Sequence, residues 1–482
     1  MHVSVRRLLD DPDSLAYHPQ LTSLLPEMTG QAPDSLPWTL RWRSSDAFVI
    51  ASVTIAIFTD TFLYGLLIPV FPTVLENRCS IPEEKVQAFT SLAVGLSGAG
   101  NLIGACLFGY LADHIRSRRT SLLLGLATFI GATVMIWVVH HVALMCVGRF
   151  LQGFASAAVW SVGLALLADT VGKDEVPVAM GYVNIGFSCG TVIGPIVGGM
   201  MYSLAGFDGV MAFAVGLLIF DVVLRLLLVE KKDLPAILAN IDDDGSESAQ
   251  AARTPLLRDQ PRDNETDSCG ESQASEETEV AYRTLISSAR LLINLVCAFV
   301  QAVTMSSLEV TLPIHLKEVA GYEPFSTALV FIPLMLPAFL SPLIGWMCNK
   351  VGNRPVASSG YVICGVFMIL LRLHQGDDTL ETIGIFTGLA LIGIAMCMIM
   401  TPVLSDIFDA VEELENEKPG RFGEYGAFAQ AYGLFEFSYA GGVLLGPILA
   451  GWLKTEYGWS GLTLIAGIVN FATIALMLGS KV

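Results

Sequence analysis

The chain has 482 residues, 53% of them hydrophobic and only 15% charged, with a mean hydropathy of +0.61, a balance that excludes a soluble protein of two or three domains. The net charge of −18 points to a cationic partner only until it is located. Much of it lies in residues 241–279, rich in Asp, Glu, Ser and Gln, which reads as a disordered tether and implies no nucleic-acid partner.

In chain order, residues 1–46 carry Arg6, Arg7, Arg41 and Arg43 but no apolar core ahead of a small-residue cleavage site. They read as a cytoplasmic N-terminal segment, with the first apolar segment acting as an uncleaved signal. Apolar segments follow at 47–75, 88–112, 120–139, 142–168, 178–203 and 208–229, then at 285–314, 325–348, 355–373, 380–405, 424–452 and 458–479. Runs of about 20 apolar residues cross a hydrocarbon core of about 30 Å as helices, and the absence of alternation argues against barrel strands. The expected fold is an all-α membrane protein of twelve transmembrane helices in two pseudo-symmetric six-helix bundles, 47–230 and 285–482, joined by an acidic cytoplasmic linker over 231–284.

Lys and Arg in the short loops set the orientation. The loops after the second and eighth segments hold Arg116, Arg118, Arg119 and Lys350, Arg354, and those after the third and fifth hold neither residue type. Both termini, the even-numbered loops and the linker are therefore expected on the cytoplasmic side. Most cysteines fall inside apolar segments, where a thiol packs as a small hydrophobe, and no spacing suggests a disulfide framework or a metal. The halves also echo one another. GYLADHIRSRR (109–119) follows the second segment and GWMCNKVGNRP (345–355) the eighth, while GTVIGPIVGG (190–199) lies in the fifth and GVLLGPILAG (442–451) in the eleventh. Such a duplication places a binding site between the halves, near the midplane.

With GYLADHIRSRR after the second segment, GRFLQG (148–153) opening the fourth and GTVIGPIVGG in the fifth, the chain resembles the major facilitator superfamily, specifically its twelve-helix drug:proton antiporters. FTDTFLYGLLIPVFP (58–72), SSLEVTLPIHL (306–316) and QAYGLFEFSYAGGVLLGPILAG (430–451) resemble the vesicular amine transporter branch and its fungal relatives. The resemblance implies alternating-access antiport energised by a proton gradient, with no cofactor, by a monomer in the bilayer. The implied substrate is a small amphipathic organic molecule, a drug or a secondary metabolite such as an antibiotic or its precursor. Two departures argue against an amine carrier: the branch's buried lysine has no counterpart in SLAVGLSGAGN (91–101), and Met400 stands where those transporters have an acid. The terminal GSKV resembles a peroxisomal address and keeps a microbody beside the plasma membrane, vesicle and vacuole.

A carboxylate at the bilayer centre costs about 3 kcal/mol on insertion scales, so it persists where it faces a cavity, a partner or a proton route. Asp60, Glu309 and Glu436 qualify, as binders of protons and of a cationic group on the substrate, or as members of structural ion pairs. Arg149 cannot shed its proton. With Gln152 and Gly153 it matches a motif that in the resembling families couples proton movement to transport; a structural partnership with a carboxylate such as Glu309 is the alternative.

Gly109, Asp113, Arg116, Arg118 and Arg119 are implied as a conformational latch, with Ser117 standing where the family has glycine. Gly190, Gly194, Pro195, Gly198 and Gly199, and in the other half Gly446, Pro447 and Gly451, are expected to pack helices tightly and to bend them at the prolines. Tyr64, Asn101, Trp160, Asn184, Asn294, Gln301, Tyr432 and Tyr439 are candidates for lining the cavity. Asp221 and Arg225 are expected to pair locally, and His140 and His141 to be solvated. Two other functions fit the same features: a uniporter without proton coupling, and a membrane sensor that uses the acidic linker to bind a partner. No nucleophile–base pair, metal set or phosphate loop suggests an enzyme.

Overall fold

The computed structural model describes residues 38–115, 117–230, 281–320, 324–373, 379–423 and 426–479. Most of the N-terminal segment and of the acidic linker, Arg116 and the last three residues of GSKV lie outside the described residues.

Among the described residues the regular structure is helical, and ten helices are long and apolar enough to cross a membrane. Two of them, Lys173–Leu227 with 55 residues and Phe428–Gly479 with 52, would each extend for about 80 Å if straight, far more than a bilayer. They turn back at Gly206 (φ 66°, ψ −169°) and Gly458 (φ 68°, ψ −176°), conformations that a Cβ opposes. The local sequences, GFDG and GWSG, correspond between the two halves of the chain. The ten helices thus provide twelve spans.

In chain order the spans are Asp46–Leu67, Glu83–His114, Arg118–Val138, Val142–Thr170, 176–205, 207–227, Ala289–Ala320, the pair Pro324–Met335 and Ser341–Val351, Asn353–Leu370, Thr379–Glu417, 428–457 and 459–479. Several bounds differ from the hydropathy pattern by four residues or more, and two have a plain cause in the sequence. The first span stops at Leu67 rather than at 75, because Pro69 and Pro72 follow it; Pro72 is instead accommodated in the first turn of a separate short helix, Phe71–Cys79. The tenth continues to Glu417, since EELENE is rich in helix-forming glutamate and carries the helix past its apolar part.

The first span packs on the fifth and the seventh on the eleventh. A Cβ at Gly190, Gly194 or Gly198 would lie 2.0 Å from Thr61 Oγ1, 2.5 Å from the Phe62 carbonyl or 2.2 Å from the Leu66 carbonyl. At Gly442 and Gly446 it would lie 2.6 Å from the Phe299 carbonyl and 2.1 Å from Ser306 Oγ. Small residues every fourth position let these backbones meet. Gly199 and Gly451, expected in the same seal, are not part of it: a Cβ at either would meet nothing within 4 Å. One residue beyond Gly198 and five beyond Gly446 rotate them off the packed face by about 100° and 140°. The dihedrals leave the helical region at Gly206 and Gly458, not at Pro195 or Pro447; the Pro195 ring packs against Gly65.

The first six and last six spans meet where the second lies against the eleventh and the fifth against the eighth. Asn101 bonds Glu436 and Asn184 bonds Ser341, the Tyr282 hydroxyl donates to the Cys106 carbonyl, and Lys173 pairs with Glu412 at 2.5 Å. These contacts extend from mid-depth to the end that carries Arg118. Toward the other end, which carries Cys79, Tyr64 is 39% exposed and Glu309 is also exposed. Yet Glu309 is within electrostatic reach of the hydroxyls of Tyr64 on the first span and Tyr439 on the eleventh. A side chain that faces two other spans and remains accessible lines a cavity. The structure is closed at the Arg118 end and open toward the Cys79 end.

Candidate transport site

Asp60 sits two-thirds of the way along the first span and is 6% exposed. Its Oδ2 accepts hydrogen bonds from Ser156 Oγ at 2.9 Å and Trp160 Nε1 at 3.0 Å, both on the fourth span and one helical turn apart. Glu436 faces it from the other set of spans, 3% exposed. Its Oε1 accepts from Asn101 Nδ2 at 2.7 Å, while Oε2 has no partner. The two carboxylates are within electrostatic reach of one another. Every donor named is uncharged, and among the described residues no Lys or Arg pairs with either acid. A carboxylate buried without a fixed counter-charge is stable only while it holds a proton or receives a cation.

A row of aromatic rings crosses between the sets beside these acids. Trp160 meets Phe187 edge-on at 5.6 Å, Phe187 meets Tyr439 at 6.2 Å, and Tyr439 stacks on Phe435 at 5.9 Å. Such rings suit a flat or amphipathic molecule. Asn184 lies below the row, donating to Ser341 Oγ at 2.7 Å across the join between the sets.

Arg149, on the fourth span with Ser156 and Trp160, does not pair with Glu309. Its Nη1 donates to Gln152 Oε1 at 3.0 Å, and Gln152 Nε2 donates to Thr133 Oγ1 at 2.9 Å. The Tyr64 and Phe71 rings lie 5.5 and 5.8 Å from the guanidinium carbon, so aromatic faces rather than a carboxylate surround the charge.

At the Arg118 end, Asp113 accepts from the backbone N–H groups of Ala429 (3.2 Å) and Gln430 (2.8 Å), the first turn of the eleventh span, where orphan donors and the helix dipole favour a negative charge. Arg118 bridges Asp113 at 2.5 Å and Asp169 at 2.8 Å. Arg119 donates to the Leu226 carbonyl at 2.9 Å, near the sixth span's C-terminus, and its N–H bonds Glu230 at 2.7 Å. A Cβ at Gly109 would lie 2.8 Å from the Ala429 carbonyl. Asp113→Ala should lower the unfolding midpoint in scanning fluorimetry, corresponding to about 3 kcal/mol, because a buried ion pair and a helix cap are lost together.

The last six spans repeat the approach but not the charge. A Cβ at Gly345 would lie 2.2 Å from the Pro177 carbonyl, and Asn349, at the position of Asp113, donates to the Asp174 carbonyl. The acids there are engaged elsewhere. Arg290 pairs with Asp406 at 2.5 Å, Asp409 at 3.3 Å and Glu413 at 2.7 Å, beside a cavity of about 440 Å³.

Three expected cavity residues lie elsewhere. Asn294 belongs to that ionic cluster, donating to Asp406 Oδ2 at 2.7 Å. Tyr432 is fully buried, its hydroxyl donating to the Leu404 carbonyl at 3.1 Å, and Gln301 is buried against the tenth span, donating to the Met396 carbonyl at 3.1 Å. Asp221 and Arg225 pair at 3.6 Å, and Arg225 also donates to the Ser52 carbonyl at 2.7 Å. His141 caps the fourth span by accepting from the Ala143 N–H. Sequence reasoning missed Ser156, Thr133, Arg290 and Asp406. Ser156 was within reach, since positions 149, 152, 156 and 160 recur at helical spacing on one face.

The family model described as Major Facilitator Superfamily matches residues 53–421. The MFS-type transporter ppzB of Metarhizium rileyi is 28% identical over 470 residues, spanning 91% of this chain and 97% of that protein. An uncharacterized MFS-type transporter of Schizosaccharomyces pombe is 28% identical over 421 residues, spanning 87% and 92%. The vesicular acetylcholine transporter of Rattus norvegicus is 23% identical over 373 residues, spanning 74% of this chain and 59% of that protein. Among solved structures, the human organic anion transporter MFSD10 (TETRAN) aligns with a TM-score of 0.67 at 15% identity, covering 90% of this chain and 99% of that one, a likeness of fold.

Proposed function

The chain belongs to the major facilitator superfamily, and from that premise we propose that it is a proton-coupled antiporter of a small amphipathic organic molecule, working by alternating access. The observation that carries this reading is the pair Asp60 and Glu436, buried at mid-depth, contributed by opposite sets of spans and held by uncharged donors alone. Proton occupancy of these acids is coupled to occupancy of the cavity by substrate, so the cycle that carries substrate one way returns with protons. The cavity open at the Cys79 end serves one half of the cycle. The contacts of Asp113, Gly109 and Gly345 at the Arg118 end must part for the other half. The transporter names of the relatives support the transport part of the reading, and the aromatic row supports a substrate with an apolar body.

The test is internal pH in vesicles containing purified protein, followed with a trapped dye while a panel of amphipathic drugs and metabolites is added. A substrate that moves protons in its own presence is the expected result. Substrate uptake that never moves protons and never responds to an imposed pH gradient leaves a uniporter instead.

A further inference from the structure

Arg149 is a permanent charge that is 4% exposed. A guanidinium presents five N–H donors in a planar fork, and among the described residues one hydrogen bond occupies it, to the neutral Gln152 oxygen at 3.0 Å. Its other nitrogens are neither bonded by described residues nor sealed from accessible space. No carboxylate among the described residues pairs with it, although Asp60, Glu309 and Glu436 all lie in the same half-open interior. The geometry is also braced. Gln152 is itself fixed by Thr133 at 2.9 Å, and the rings of Tyr64 and Phe71 lie 5.5 and 5.8 Å from the guanidinium. Tyr64 is 39% exposed, so the charge is one ring away from the open cavity.

A buried cation kept without a counter-ion is costly, and aromatic faces offset only part of that cost. The arrangement has a different logic if the counter-ion arrives with the cargo, because the planar fork matches a planar carboxylate in two parallel hydrogen bonds. We propose that Arg149 is the recognition point for a carboxylate on the transported molecule, whose apolar body lies along the exposed Tyr64 ring, so that the substrate class is an organic anion with an aromatic or aliphatic body. The proposal rests on the transport reading of the same cavity and deepens it by naming the charge of the substrate.

The test uses purified full-length protein in detergent and three probes that share one body: phenylacetate, phenylacetamide and phenethylamine. The readout is the ligand-dependent rise in unfolding midpoint, which reports binding whether or not protons move. Phenylacetate should raise the midpoint and the other two should not. Arg149→Gln should weaken the phenylacetate titration by about tenfold or more, with Arg149→Lys retaining part of the response. A midpoint that rises as much with the amide or the amine, that does not move with phenylacetate, or that responds equally in folded Arg149→Gln overturns the proposal. The wild-type comparison among the three probes decides alone if Arg149→Gln fails to fold. Phenylacetate binding in vesicles that show no proton flux would count against proton exchange and leave the anion site standing.

Discussion

Asp60→Asn should abolish substrate-driven proton movement and leave exchange of substrate for substrate within a fewfold of wild type. The expectation follows from what the substitution preserves. An amide oxygen still accepts from Ser156 and Trp160, which reach the same Oδ2 at 2.9 and 3.0 Å, so the fourth span and its row of rings keep their positions. What is lost is the one property an amide lacks, reversible binding of a proton. Net transport against a gradient needs that step, whereas exchange of bound for unbound substrate needs only that the cavity alternate.

The measurement is trapped-dye pH and labelled-substrate counterflow on the same vesicles, with proton flux expected to fall to that of protein-free vesicles. Proton flux that persists in Asp60→Asn moves the proton site to another acid. Glu436→Gln then becomes the informative variant, because its Oε1 is held by Asn101 at 2.7 Å and its Oε2 is unpartnered. Loss of both activities would instead mean that the charge at Asp60 orders the cavity itself.

How much of this site was legible beforehand depends on what kind of fact each residue represents. The spans were legible because hydropathy and length decide them, and Asp60 and Glu436 because a carboxylate inside an apolar run must be accounted for. Direction was not legible. A polar residue in a membrane helix declares a need for a partner without saying whether the partner is a cavity or another helix, and Asn294, Gln301 and Tyr432 found theirs in Asp406, Met396 and Leu404. Arg290 and Asp406 were passed over for the opposite reason. Each stands at the edge of an apolar segment, where a charge is ordinary, and their pairing joins residues 116 positions apart. Asp113 illustrates the middle case: its spacing within GYLADHIRSRR permits a cap on a neighbouring helix, and only the fold selects Ala429 and Gln430 as the donors.

Two glycines with equally close surroundings should fail in different ways when each is replaced by valine. At Gly198 a Cβ would stand 2.2 Å from the Leu66 carbonyl, and at Gly345 it would stand 2.2 Å from the Pro177 carbonyl. Both atoms are backbone and neither moves cheaply. The first contact lies within the first six spans, between the fifth and the first, and has to survive every state of the cycle. The second lies between the sets, where the eighth span meets the fifth, and under the proposed alternating access it exists only while the Arg118 end is closed. Gly198→Val therefore has no state in which to escape the clash, and overpacking of this kind costs about 1–3 kcal/mol or more; the expected result is a sharp loss of monodisperse protein. Gly345→Val escapes by opening. A strain of about 3 kcal/mol confined to one state shifts the ratio of the two states by about a hundredfold, so the protein should purify normally while the Arg118 end stands open. Cys348 is a native reporter of that change, 4% exposed and one turn from Gly345 beside the cavity at this end. Its maleimide labelling, read by peptide mass spectrometry, should rise strongly in Gly345→Val. Labelling that stays at the wild-type level in well-folded Gly345→Val would mean that the backbone approach at Pro177 does not hold this end shut. A loss of folding equal to that of Gly198→Val would make the contact a permanent part of the architecture, and the two sets of spans would have to move about some other join.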